Sequence, residues 1–138
     1  MTTPQVGYLL KQAQSLLRLR MEEALKPLQL TVSQYSCLHL LRQEPGISAA
    51  ALARGTFVTR QSMQSMLQSL IERGLVARDD HAESGRALPT ALTREGSDAL
   101  DAAQNRVDEV QRRMVSGMSD AEQGALARAL LACVSALS

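Results

Sequence analysis

Val58-Thr59-Arg60-Gln61-Ser62-Met63-Gln64-Ser65-Met66-Leu67-Gln68-Ser69-Leu70-Ile71-Glu72-Arg73-Gly74 decides how the rest of the chain is read. Met63, Met66, Leu67 and Leu70 recur at the i, i+3, i+4, i+7 spacing of a helix that buries one stripe. The opposite face holds Arg60, Gln61, Gln64, Ser65, Gln68 and Ser69, where an ordinary surface helix would carry Glu and Lys pairs. Neutral hydrogen-bonding groups of this kind suit base edges and phosphates. Thr59 is placed to cap the helix start and Gly74 to close its end in a left-handed conformation. The expected length, roughly 22 Å, fits a DNA major groove.

Working outward, Ile47 to Arg54 is Ala-rich and reads as a short helix capped by Ser48, followed by the turn Gly55-Thr56-Phe57-Val58. After the polar-faced helix, Leu75-Val76-Ala77-Arg78 and Leu88-Pro89-Thr90-Ala91-Leu92 are short strand-like runs flanking a polar loop. A short helix, a turn, a second helix and a hairpin make a winged helix-turn-helix. Pro89 suits an edge strand, since it cannot donate to a ladder.

The flanks are helical. Val6, Leu9, Leu10, Ala13, Leu16, Leu17, Met21, Ala24, Leu25 and Leu28 keep helical spacing over most of six turns, with Pro27 near the end as a stop. Thr31-Val32-Ser33-Gln34 is a capping box opening a helix through about Gln43, with Tyr35, Leu38 and Leu41 facing the core and Cys37 and Leu40 widening the stripe. Thr93 caps a long helix whose stripe is Leu100, Ala103, Val107, Val110 and Met114. After a break at Ser116-Gly117-Met118, Ser119-Asp120-Ala121-Glu122 is a second capping box, and Leu126, Leu130, Cys133, Val134 and Leu137 follow. Apolar stripes at both ends of the chain need each other or a second subunit.

At 138 residues the chain holds one domain with a real core and has no room for a DNA-reading unit beside a catalytic one. With no Trp, one Phe and two Tyr, the core must be built from Leu, Ala, Val and Met. The net charge of +1 excludes a basic coat for nucleic acid, so any affinity must come from locally placed cations. Of the 15 basic residues all but Lys11 and Lys26 are Arg, and Arg54, Arg60, Arg73, Arg78 and Arg86 lie in or beside the winged segment. No apolar run approaches a membrane span and no signal peptide opens the chain, so the expected location is the cytoplasm. Cys37 and Cys133 sit in apolar helical patterns and are expected as buried free thiols; two Cys and two His at these spacings imply no metal site and no cofactor.

The succession Leu30-Thr31, Gln34-Tyr35, Leu38, Leu41, Glu44-Pro45-Gly46-Ile47-Ser48, Leu52-Ala53, Val58-Thr59-Arg60-Gln61-Ser62, Leu70, Arg73-Gly74-Leu75-Val76, Arg86 and Leu92-Thr93-Arg94-Glu95-Gly96 resembles the MarR family of transcriptional regulators over nearly the whole chain. Ser84 stands where the family's wing usually carries Asp, two residues before Arg86. The resemblance implies a mostly α fold in a single domain, residues 1–138. A winged helix-turn-helix lobe spans 30–92, and helices at 5–28 and 93–138 form a homodimer. It implies a repressor that binds double-stranded DNA at a pseudo-palindromic operator and is released by a small aromatic or phenolic effector. The DNA-facing candidates are Thr59, Arg60, Gln61, Ser62, Gln64, Ser65, Gln68, Arg54, Arg78 and Arg86. Arg86 would enter a narrow minor groove. Met21, Tyr35 and His39 are the candidates for the effector pocket.

Two other functions compete with this one. A winged-helix protein-interaction module without DNA reading is favoured by the near-neutral charge and by Ser84, and opposed by the Gln- and Ser-rich helix face and the clustered arginines. An enzyme has nothing to stand on, because neither histidine has a motif partner and the glycines form no phosphate loop.

Overall fold

The computed structural model describes residues 5–78 and 90–138. In chain order the elements are α1 (Val6–Leu25), α2 (Val32–Gln43), α3 (Ala49–Thr56), α4 (Arg60–Glu72), β1 (Val76–Arg78), β2 (Thr90–Leu92), α5 (Arg94–Met114) and α6 (Asp120–Leu137), with a 3-10 turn, Lys26–Leu28, between α1 and α2. The expected mostly α, winged helix-turn-helix order is present, with one two-stranded antiparallel sheet.

Local chemistry sets most boundaries. The Oγ atoms of Thr31, Ser48, Thr59, Thr93 and Ser119 each accept from the backbone N–H three residues on, and the Gln34 and Glu122 side chains complete two capping boxes. At Pro27 the α1 spiral tightens into the 3-10 turn and then leaves it through a left-handed Gln29, φ 56°. One boundary differs from the sequence reading. Gly55 and Thr56, assigned to the turn, belong to α3, where the Thr56 hydroxyl donates back to the Leu52 carbonyl at 2.8 Å and so satisfies itself inside the helix. The turn between α3 and α4 is therefore shorter than expected, and its left-handed residue is Phe57.

One core joins the lobe to the long helices. Leu25 and Leu30 precede α2, and Tyr35, Cys37, Leu38 and Leu41 from α2 meet Leu52 and Ala53 of α3, Met63, Leu67 and Leu70 of α4, and Leu100, Ala103 and Val107 of α5. The α2 stripe is as expected, Cys37 included. At the end of α4, Gly74 (φ 74°) turns the chain into β1, whose register pairs Val76 with Leu92 and Arg78 with Thr90. The same corner explains the Thr93-Arg94-Glu95-Gly96 run. Thr93 donates its hydroxyl to the Gly74 carbonyl at 2.6 Å and its N–H to the Leu75 carbonyl, while a Cβ on Gly96 would stand 1.9 Å from that Leu75 oxygen. Only glycine lets α5 start this close to the hairpin.

The ends of the chain are different. The α6 helix buries none of its residues, and Leu130, Leu131, Val134 and Leu137 are exposed. On α1, Val6, Tyr8, Leu9, Leu10, Leu16 and Leu19 are likewise exposed. Cys133 corrects an expectation: it is only half-buried, because α6 has no packed layer above it. Among the described residues no helix is long and apolar enough to cross a membrane.

Candidate nucleic-acid interface

The α4 helix is held from below. Met63, Leu67 and Leu70 are buried, Met66 is half-buried, and the Met63 sulfur lies 4.0 Å from the Cys37 thiol of α2. Seating this stripe fixes the rotation of the helix and leaves Thr59, Arg60, Gln61, Ser62, Gln64, Ser65 and Gln68 all exposed on the outside. Over that surface no acidic side chain occurs until Glu72, to which the Gln68 amide donates at 3.4 Å. Thr59 has a second duty: besides capping the helix, its hydroxyl donates to the Ser62 Oγ at 3.0 Å, which pre-orders two of the outward groups.

The arginines separate into two kinds. Arg54 at the end of α3, Arg60 at the start of α4 and Arg78 at the end of β1 are exposed. Arg73, counted with them in the sequence, is instead committed: its guanidinium donates to the carbonyl of the left-handed Gln29 at 2.7 Å, tying the end of α4 to the turn after α1. Sequence proximity to the hairpin hid this, since its partner is 44 residues away. Arg86 and Ser84 lie outside the described residues, as do the loop and Pro89.

The effector candidates are carried by α1 and α2. Tyr35 and His39 come together, their rings stacked with centroids 5.9 Å apart, whereas Met21 approaches the core from α1. Tyr35 is buried; its hydroxyl donates to the Gln104 side-chain oxygen Oε1 at 2.8 Å, and the Gln104 side-chain amide donates in turn to Asp108 at 2.8 Å. Burial raises the Tyr35 pKa, an effect that the Gln104 hydrogen bond partly offsets. The Gln104–Asp108 relay was missed because an i, i+4 Gln and Asp on a wet helix face look like solvated surface. Neighbouring Arg42 reaches Asp101 at 2.6 Å and braces α2 against α5. Burial also pushes the Cys37 thiol up to about 12, so it is a neutral packing group rather than a thiolate at neutral pH. A separate cavity of about 380 Å³ opens between α1 and α5, lined by Ala13, Leu16, Leu17, Val110 and Met114 with Arg20 and Arg113 at its edge; none of the three effector candidates lines it.

A capped helix with a buried apolar underside and a continuous polar outer face, preceded by a short helix and followed by a hairpin, defines a winged helix-turn-helix protein. The MarR family profile matches residues 28–87. The HTH-type transcriptional repressor Rv2887 of Mycobacterium tuberculosis is 38% identical over 125 residues, covering 91% of this chain and 90% of that protein. The crystal structure of Rv2887 in complex with salicylic acid superposes with a TM-score of 0.79 at 36% identity, over 96% of this chain and 97% of the other. The Rv2887 complex with DNA superposes at 0.78 and 32% identity, over 95% and 98%. The chain belongs to the MarR family of transcriptional regulators.

Proposed function

We propose that this protein is a cytoplasmic, homodimeric, DNA-binding repressor without enzymatic activity, in which α4 of each copy enters the major groove of one half of a pseudo-palindromic operator. The observation that carries the proposal is the unbroken exposed polar face of α4 from Thr59 to Gln68, fixed in rotation by its buried underside. Gln64 and Gln68 are the base-reading residues, since a Gln amide pairs bidentately with adenine, with Gln61, Ser62 and Ser65 beside them. Thr59, Arg60, Arg54 and Arg78 serve chiefly through phosphate, which sets register rather than sequence. Arg86 is assigned to the flanking minor groove from sequence alone. The lobe at 30–92 reads DNA; the helices at 5–28 and 93–138 pair the copies through the apolar faces of α1 and α6 left exposed in one chain.

Release is assigned to a small aromatic or phenolic acid, supported by the salicylic acid complex of the Rv2887 repressor. Met21, Tyr35 and His39 are its proposed contacts. An effector carboxylate or phenol competing for the Tyr35 hydroxyl would unseat Gln104 and loosen α2 from α5, moving the lobe relative to the dimer helices. Mobility shifts of a random-sequence duplex pool, with and without salicylate, test the reading. Retention of a fraction of the pool that salicylate displaces supports it; no retention of any duplex at low salt would instead favour a protein-interaction module.

A further inference from the structure

Phe57 closes α3 in the arrangement that glycine ordinarily occupies. The Val58 N–H reaches back to the Ala53 carbonyl at 3.0 Å, the Phe57 N–H points to the Arg54 carbonyl at 3.3 Å, and Phe57 itself sits at φ 59°, ψ 39°. For a bulky side chain this left-handed conformation is an outlier, disfavoured by contact between Cβ and the following carbonyl. Packing does not compensate, because the ring is 94% exposed while its neighbour Val58 turns inward onto the core. A chain with a single Phe thus sets it in a strained conformation, in water, two residues ahead of the α4 cap and three after Arg54. The two backbone hydrogen bonds explain why a left-handed residue stands here but not why it is Phe, and an outlier whose side chain no packing repays points to a functional role.

We infer that Phe57 is an apolar DNA contact: it lies against the wall of the groove that α4 enters, on the carbon face of a deoxyribose or on a thymine methyl, between the phosphate contacts of Arg54 and Arg60. This rests on the DNA-binding reading of α4 and adds a residue of opposite chemistry to it. Both targets are apolar surfaces of the same duplex, and a Phe ring suits either. Because the contact neutralises no phosphate and releases no counterion, it contributes affinity that salt does not erode.

The experiment compares wild-type protein with Phe57→Gly and Phe57→Leu on the duplex that wild-type protein enriches from a random pool, over a range of salt concentrations. Phe57→Gly relieves the backbone, so its Tm is expected to hold or rise. Its affinity should nevertheless fall roughly five- to tenfold, with the slope of log K against log salt unchanged, and Phe57→Leu should fall between the two. Repeating the titration with uracil in place of thymine separates the targets: a loss seen in wild type and absent in Phe57→Gly places the ring on a thymine methyl, and no loss places it on the sugar. Equal affinity of Phe57→Gly and wild type on that duplex overturns the inference while leaving the α4 reading intact. A wild-type protein that enriches no duplex overturns both.

Discussion

Two surfaces of this chain are left open to solvent, and they are opposites. The outer face of α4 is polar and almost uncharged, with its helix locked from beneath by Met63, Leu67 and Leu70. The faces of α1 and α6 are apolar and, in α6, have no buried residue to lock them. A surface of hydrogen-bonding groups on a rigid support can wait in water for a ligand that replaces water's hydrogen bonds. A surface of Leu and Val gains about 25 cal/mol for each Å² it removes from water, so it is expected to be covered whenever a partner is at hand. On the proposed function, the contrast separates a recognition face from an assembly face.

The largest effect is expected from charging the assembly face. Leu131→Glu together with Val134→Glu, at side chains already 67% and 63% exposed, should leave the fold of a single copy intact while weakening self-association by about a hundredfold or more, on the order of 3 kcal/mol. Light scattering at micromolar concentration reads this directly. A wild-type protein that is already a stable monomer there would break the contrast, since α6 would then have no assigned cover.

Next come the residues of the recognition face, where two kinds of contact should part. Arg60→Ala should lower affinity for specific and nonspecific DNA alike, roughly tenfold at moderate salt, and reduce the salt slope by about one. Gln64→Ala should cost about 1–3 kcal/mol on the preferred sequence and leave nonspecific binding and the salt slope nearly unchanged. Identical responses from the two variants would dissolve the distinction. Thr59→Ala, which removes the α4 cap and the link to Ser62, should cost about 1 kcal/mol of stability, measured by denaturant unfolding.

How much of this the sequence disclosed follows from where each signal resides. The six α-helices of the described residues, the caps of the last five, the paired strands and both open faces were legible, because periodicity, Ser and Thr caps and Gly74 act within a few residues of chain. Signals that depend on distant partners were not. Arg73 looked like one more cation of the DNA face until its contact with Gln29 was seen, and Gln104 gave no hint of its place between Tyr35 and Asp108. Cys133 was expected inside because its helix pattern is apolar, but a pattern shows that a stripe seeks burial, not that its own chain supplies it. Phe57 was placed correctly in the turn, yet its left-handed conformation required knowing where α3 stops.

The cysteines give a smaller test of the same contrast. At neutral pH a thiol reagent should modify Cys133 in the Leu131→Glu, Val134→Glu protein, whose α6 face is uncovered, faster than in wild type, and spare Cys37 beneath α4 in both, with mass spectrometry of the folded proteins as the readout. Modification of both at equal rates would mean that α4 is not firmly seated. The pH dependence has a definite sign. The Cys37 pKa of about 12 in the fold lies above its ordinary value of 9.0, so the neutral thiol's contribution is complete below pH 9.0 and declines as pH rises toward 12. Tyr35, also raised, acts in the same direction. Unfolding free energy should therefore fall above pH 9, by up to about 1.4 kcal/mol per pH unit from Cys37, and less steeply in Cys37→Ala, with Tyr35 adding to the decline only above pH 10.

The measurement that bears most directly on the two-surface account is a selection from random duplex DNA by the purified protein. If α4 reads bases and the chain ends pair the copies, the enriched duplexes should carry two inverted half-sites about one helical turn, roughly 34 Å, apart. The Leu131→Glu, Val134→Glu protein should lose that pairing and enrich at most single half-sites. Enrichment of unpaired sites by wild-type protein, or of no sequence at all, would contradict the account.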